Sequence, residues 1–252
     1  MSDTTEEPFP DSQDTFDETD LEELGRVRHA VRLVDVSRVY TVGKAQVVGL
    51  RGVNLSVDPG EFVVISGPSG SGKTTLLNII GGIDFASEGR VLVMDVPIGD
   101  YDETFRATFR LTNTGFIFQS YNLISTLTAL ENVMFPMQLS GKSSRELREE
   151  SLGLLKTVGL SDRFNHLPWQ LSSGEQQRVA VARAMANDPS ILLADEPTAN
   201  LDYGSAKIVR ELLVELNRRG KTVFVVTHDN EITGLPGVRH CEMVNGELKT
   251  GV

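Results

Sequence analysis

From Val31 to Ser66 the chain alternates apolar and polar positions or runs apolar in short bursts, VRLVDVSRVY, QVVGLRGVNLSV and EFVVIS, separated by the turn-forming stretches TVGK and DPGE. A period of two interrupted by turns predicts antiparallel strands leading into a buried one. Two later runs, ILLA at 191–194 and TVFVV at 222–226, are apolar apart from the leading Thr222, and each follows a stretch with helical spacing. Strands covered on both faces leave such runs, so these predict the parallel centre of an α/β core.

Between Ser120 and Gln170 the strand pattern stops. ALENVMFPMQL and SSRELREESLGLLKTVGL space their apolar residues three and four apart, which predicts a helical insertion over about 120–175. Near the end, CEMVNGELKT sets Asn245 and Gly246 between two strand-like runs, a pair that favours a tight hairpin.

Charge changes this picture at one end only. The net charge is −11, yet residues 1–24 hold ten Asp or Glu and no Lys or Arg, leaving 25 acids against 24 bases elsewhere. Residues 1–28 therefore read as a disordered acidic tail and 29–252 as the folded domain. Near-neutrality of the rest argues against a broad nucleic-acid surface. The single cysteine, Cys241, excludes an internal disulfide and fits a reducing compartment. No apolar run approaches the roughly 18 residues of a membrane span, and the acidic start lacks the basic and apolar parts of a signal peptide. The expected location is cytoplasmic, with any membrane role exercised through a partner.

The stretch EFVVISGPSGSGKTTLLNII joins an apolar strand, a glycine-rich loop and a helix. Gly67, Pro68, Ser69, Gly70, Ser71, Gly72, Lys73 and Thr74 fit G-x-x-x-x-G-K-[ST]. Glycines at 67, 70 and 72 let the backbone curl its N–H groups toward phosphate oxygens, which side chains would obstruct. Lys73 supplies charge to the β and γ phosphates, Thr74 offers a hydroxyl to Mg²⁺, Thr75 adds a donor, and the helix start favours an anion.

Holding a nucleotide is not hydrolysing it. ILLADEP supplies Asp195, at a strand end where it can organise Mg²⁺, and Glu196, which can accept a proton from an attacking water. Taken alone, DEPTANLD reads equally as an acidic turn capping the next helix; the phosphate loop upstream favours the catalytic reading. His228, just past the TVFVV strand, can reach a γ-phosphate on the same condition.

LSSGEQQRVAVARAMA, from Leu171, is a second anion-type helix start: Ser172 or Ser173 can cap it, and Gly174 leaves its first N–H groups open. The chain enters the Asp195 strand some twenty residues later, so this start lies remote from Gly67. It acquires a ligand if two copies related by a twofold axis each present it to the other's nucleotide.

With these motifs in hand, Val31 to Thr250 resembles the nucleotide-binding subunit of an ATP-binding cassette (ABC) transporter. LSSGE, Leu171 to Glu175, resembles the family signature LSGGQ; IFQSYNL resembles its glutamine loop at Gln119, ANLD its dimer loop at Asp202, and THD its switch histidine at His228. The wording is most like the lipoprotein-release, macrolide-efflux and cell-division ATPases. The resemblance implies a P-loop NTPase core of mainly parallel sheet with an N-terminal antiparallel β subdomain and a helical insertion subdomain. It implies an ATP- and Mg²⁺-dependent ATPase, with Gln119 joining Thr74 and Asp195 at the metal. The partners it implies are a second copy in a head-to-tail ATP sandwich and a separate transmembrane permease. The alternative is a soluble cassette ATPase with a non-transport role. Tyr40 holds the position of the adenine-stacking aromatic, or is an ordinary strand tyrosine. Tyr121, Leu123, Phe135 and Met137 either line the groove for a helix of the permease or pack in the core. Ser173 departs from the signature's glycine: it costs about 1 kcal/mol if that position needs positive φ, and adds a hydroxyl donor if it does not.

Overall fold

The computed structural model describes residues 29–43 and 45–250, so the acidic segment lies outside the described residues. Strands β1 (Val31–Val42) and β2 (Ala45–Val57) form the expected antiparallel pair. A third strand, β4 (Glu88–Val93), pairs antiparallel on the other side of β1, giving the order β2-β1-β4. The alternation in β1 and β2 did not announce this strand, because it is contributed from beyond the phosphate loop.

The six-stranded sheet runs β5 (Thr114–Ile117), β6 (Ile191–Asp195), β7 (Thr222–Val226), β3 (Phe62–Ser66), β8 (Arg239–Val244), β9 (Glu247–Thr250). Its first five strands are mutually parallel, and β9 folds back on β8 through Asn245 and Gly246, whose φ angles of 50° and 83° suit the tight hairpin.

The all-apolar runs are explained by two cores. Phe62, Val64, Leu192, Ala194, Val223 and Val225 enter one. Their neighbours Val63, Ile65, Ile191, Leu193, Phe224 and Val226 enter the other, shared with the antiparallel sheet and with α1 (Lys73–Ile80). Each such side chain taken wholly out of water stabilises the fold by about 1.5–3 kcal/mol.

No strand is described between β5 and β6. Helices α3 (Ala129–Met134), α4 (Ser144–Thr157) and α5 (Ser173–Ala184) fill the interval, following α2 (Glu103–Asn113). Thr128 and Ser143 start α3 and α4 with capping boxes closed by Glu131 and Glu146, which satisfies helix-end N–H groups reciprocally. Helix α6 (Tyr203–Arg218) follows β6, and the short α7 (Asn230–Thr233) follows β7. Met137 is 1% exposed and belongs to the first core, with Leu123 packed against it. A 3-10 turn over Phe135–Leu139 interrupts the helical period and rotates Met137 inward.

No helix among the described residues is long and apolar enough to cross a membrane.

Candidate functional site

Parallel strands end on one side, so the segments after β3, β5, β6 and β7 converge there. A cavity of about 1010 Å³ opens at that edge, lined by residues of all four segments.

The loop after β3 is held from behind. Gly67 has φ 142°, and a Cβ there would stand 2.0 Å from the Met243 carbonyl oxygen; Gly72 has φ 107°, and a Cβ there would stand 2.2 Å from the Gly49 carbonyl oxygen. These two glycines therefore serve left-handed backbone and contact with β8 and β2, a different reason from the phosphate clearance expected of them. Gly70 has nothing within 4 Å of its added Cβ. Ser69, Gly70, Gly72, Lys73, Thr74 and Thr75 line the cavity, whereas Gly67, Pro68 and Ser71 do not. Ser71 is buried, and its carbonyl accepts from the Gly246 N–H at 2.9 Å. The Lys73 ammonium, also buried, donates to the Gly67 and Pro68 carbonyls at 2.8 Å each.

The Thr74 hydroxyl donates to Asp195 at 2.8 Å, joining the phosphate loop to the end of β6. Glu196, the next residue, has φ 47°, a left-handed conformation that costs a non-glycine residue about 1–2 kcal/mol. Its N–H bonds the Val226 carbonyl at 2.8 Å. Its carboxylate accepts from the Thr227 hydroxyl at 3.2 Å and the His228 N–H at 3.3 Å, and lies 3.5 Å from His228 Nε2. Glu196, His228 and the exposed Gln119 all line the cavity.

Tyr40 also lines the cavity, paired in register with Val47 on β2, and Val48 beside it lines the cavity too. The Tyr40 hydroxyl donates to Asp84 at 2.7 Å, and the Arg38 guanidinium, 4.6 Å from the Tyr40 ring and 4.3 Å from that of Phe85, pairs with Asp84 at 2.8 Å. Arg38 does not line the cavity, so the stack backs Tyr40 from outside it. Val47, Val48, Thr198, Leu201 and Tyr203 line the cavity without having been singled out in the sequence. The one available signal was the adjacent pair of valines in QVVG, of which Val47 is opposite Tyr40 and Val48 opposite Val39 in register.

None of Leu171 to Glu175 lines the cavity. Ser172 caps α5: its hydroxyl accepts from the Glu175 N–H at 3.3 Å, and its own N–H donates to the Glu175 carboxylate at 2.8 Å. The Ser172 backbone bond holds Glu175 below the ordinary carboxylate range against the opposing effect of burial, with Arg163 adding to the shift. Ser173 is the first residue of α5 and has no positive φ, so the backbone-strain alternative does not apply to it. Gly174 is buried, and a Cβ there would stand 2.2 Å from the Ser205 hydroxyl oxygen. Asp202 caps α6, accepting from the Ser205 N–H at 2.9 Å and its hydroxyl at 2.6 Å.

A second cavity, about 230 Å³, lies beside the insertion, with Phe118, Asn122, Phe135 and Arg183 in its wall. Arg183 donates to the Tyr121 and Asn122 carbonyls at 2.7 and 2.5 Å, holding two residues with φ of 59° and 49°.

A strand, a glycine-rich loop closed on a buried lysine, and a hydroxyl–carboxylate bridge to a neighbouring strand end define a nucleotide-binding α/β protein. A profile of the ABC transporter family matches residues 50–199, and the chain belongs to that family as an ATP-binding, ATP-hydrolysing cassette. It is 48% identical over 206 residues to an uncharacterized ABC transporter ATP-binding protein of Thermotoga maritima, covering 82% of this chain and 88% of that one. It is 45% identical over 202 residues to the macrolide export ATP-binding/permease protein MacB of Hyphomonas neptunium, covering 80% of this chain and 31% of MacB. A dimeric structure of the cassette MJ0796 of Methanocaldococcus jannaschii, in a post-hydrolysis state bound to ADP and Pi, superposes with a TM-score of 0.81 at 44% identity, covering 87% of this chain and 98% of that one.

Proposed function

We propose that two copies of this chain close head to tail over two ATP molecules and, by hydrolysing them, drive a separate transmembrane permease on whose cytoplasmic face they sit. The observation that carries this reading is the convergence of Thr74, Asp195, Glu196 and His228 on one cavity from three strand ends. The position of Leu171–Glu175 off that cavity supports a second copy, and the dimeric MJ0796 cassette is a similar protein that assembles in pairs.

In this reading residues 29–252 act as the ATPase domain, and the insertion at about 120–175 receives a helix of the permease beside Phe135 and Arg183. Tyr40, with Val47 and Val48, takes the adenine. Lys73 and the N–H groups of Ser69 to Thr75 take the phosphates.

Thr74 and Asp195 present hard oxygen donors 2.8 Å apart, and no cluster of three or more metal-ligating side chains occurs among the described residues. That set fits Mg²⁺, which favours one or two protein oxygens together with water and phosphates. The ion would neutralise charge on the β and γ phosphates, with Gln119 beside it. Glu196 takes a proton from water as the water oxygen bonds the γ-phosphorus and the bond to the ADP oxygen breaks. His228 donates to a γ-phosphate oxygen, and its contact with Glu196 keeps the two groups in register. The signature residues, Ser173 with its hydroxyl included, contact the γ-phosphate held by the other copy.

Glu196→Gln tests the reading. It is expected to bind ATP without turnover and to run as a dimer on sizing with ATP and Mg²⁺. A variant that stays monomeric at saturating ATP would remove the closing-dimer mechanism.

A further inference from the structure

His228 is 57% exposed on a loop, and its own contacts are to Glu196, a group that must itself act. The anchor of that loop is the next residue. Asp229 Oδ2 accepts from the Thr198 hydroxyl at 2.9 Å and from Arg210 Nη1 at 2.9 Å, while Oδ1 accepts from the Glu231 N–H at 2.9 Å. Burial pushes the Asp229 carboxyl up, but these donors outweigh it and hold the group below its ordinary range.

Arg210 reaches this point from the third turn of α6. It lies on the buried face, beside Val209 and Leu213, with a side chain 9% exposed. Its second terminal nitrogen pairs with Glu231, and the Tyr203 ring lies 5.6 Å from the guanidinium carbon. A charge at an apolar helix position is expensive unless fully paired, and a leucine there would pack without that cost. The pairing joins three segments: Thr198, two residues past Glu196; Asp229, one past His228; and α6.

We propose that Arg210 is a positioning residue for ATP hydrolysis, fixing the loop that bears His228 against the segment that bears Glu196. The proposal rests on the reading in which His228 acts on the γ-phosphate.

The test uses the full chain and measures turnover at saturating ATP, equilibrium ATP affinity and thermal melting. Arg210→Met is expected to lower turnover about tenfold with ATP affinity within twofold, and Arg210→Lys to recover turnover to within about threefold of the parent. In a His228→Ala background Arg210→Met should add less than a twofold loss. Should Arg210→Met fail to fold, Thr198→Val removes the other side-chain donor to Asp229 without touching a charge, and a few-fold fall in turnover at unchanged affinity is expected. The proposal is overturned if Arg210→Met, or Thr198→Val in its place, leaves turnover within twofold, if affinity falls in step with turnover, or if Arg210→Met still costs tenfold in the His228→Ala background. A His228→Ala variant with parental turnover would instead overturn the underlying assignment of His228.

Discussion

The Tyr40 hydroxyl donates to Asp84 across 2.7 Å, tying a residue of the antiparallel sheet to the turn that follows α1. With Arg38 between the rings of Tyr40 and Phe85, the face of Tyr40 is set before any nucleotide arrives. Base–aromatic stacking contributes about 1–3 kcal/mol. Tyr40→Ala is therefore expected to weaken ATP binding about tenfold, and Tyr40→Phe, which keeps the ring and loses the Asp84 bond, by less than threefold. Equilibrium titration with ATP checks both; equal losses would mean that the hydroxyl, and not the ring, carries the affinity.

The bond between Thr74 and Asp195 predicts a metal-dependent phenotype. Thr74→Val should raise the Mg²⁺ concentration needed for half-maximal hydrolysis several-fold while metal-free nucleotide binding changes little. Asp195→Asn should cut turnover by about a hundredfold, a rise of about 2.7 kcal/mol in the barrier. Unchanged Mg²⁺ dependence in Thr74→Val would place the hydroxyl outside the metal site.

Gly174 predicts a rescue. An added methyl must displace Ser205, whose hydroxyl and Cβ would stand at 2.2 and 2.6 Å, and overpacking of this kind costs about 1–3 kcal/mol. Gly174→Ala should unfold at lower denaturant, and adding Ser205→Gly should return at least half of the loss. Additive losses in the double variant would show that the two helix starts do not press on each other.

Glu175 predicts a pH dependence. Its folded-state value lies below the ordinary one, so its contribution is present above the ordinary glutamate pKa of about 4.3 and is lost as pH falls through the lower folded value. Glu175→Gln should be less stable than the parent at pH 7 in denaturant titrations, and the gap should close toward pH 3. A gap that stays constant with pH would assign the contribution to the shape of the cap.

What the sequence revealed follows from which forces leave a local trace. Strands β3, β6 and β7 were legible because burial on both faces leaves four consecutive apolar residues in each, with the polar one at an end. Asn245 and Gly246 were legible because their backbone preference is local. Strand β4 was not, since its pairing with β1 spans the whole phosphate loop. For Met137 the sequence left groove lining and core packing both open, and its place in the core could not be read from helical spacing because a 3-10 turn breaks that period. The Arg210–Asp229 pair joins residues nineteen apart on different elements, and a helix arginine looks the same in sequence whether it meets water or a carboxylate. The glycine-rich loop between a strand and a helix was legible as a motif, but the need for Gly67 and Gly72 lies partly in β8 and β2.

That last placement makes the loop a seam more than a flap. With Gly67 seated on the Met243 carbonyl and Gly72 on that of Gly49, the two sheets share a single bearing at this glycine-rich loop. A tilt of one sheet against the other would press on both of these carbonyls. Mutation has little room at this seam, where the two sheets are joined by a backbone clearance too small for one methyl group.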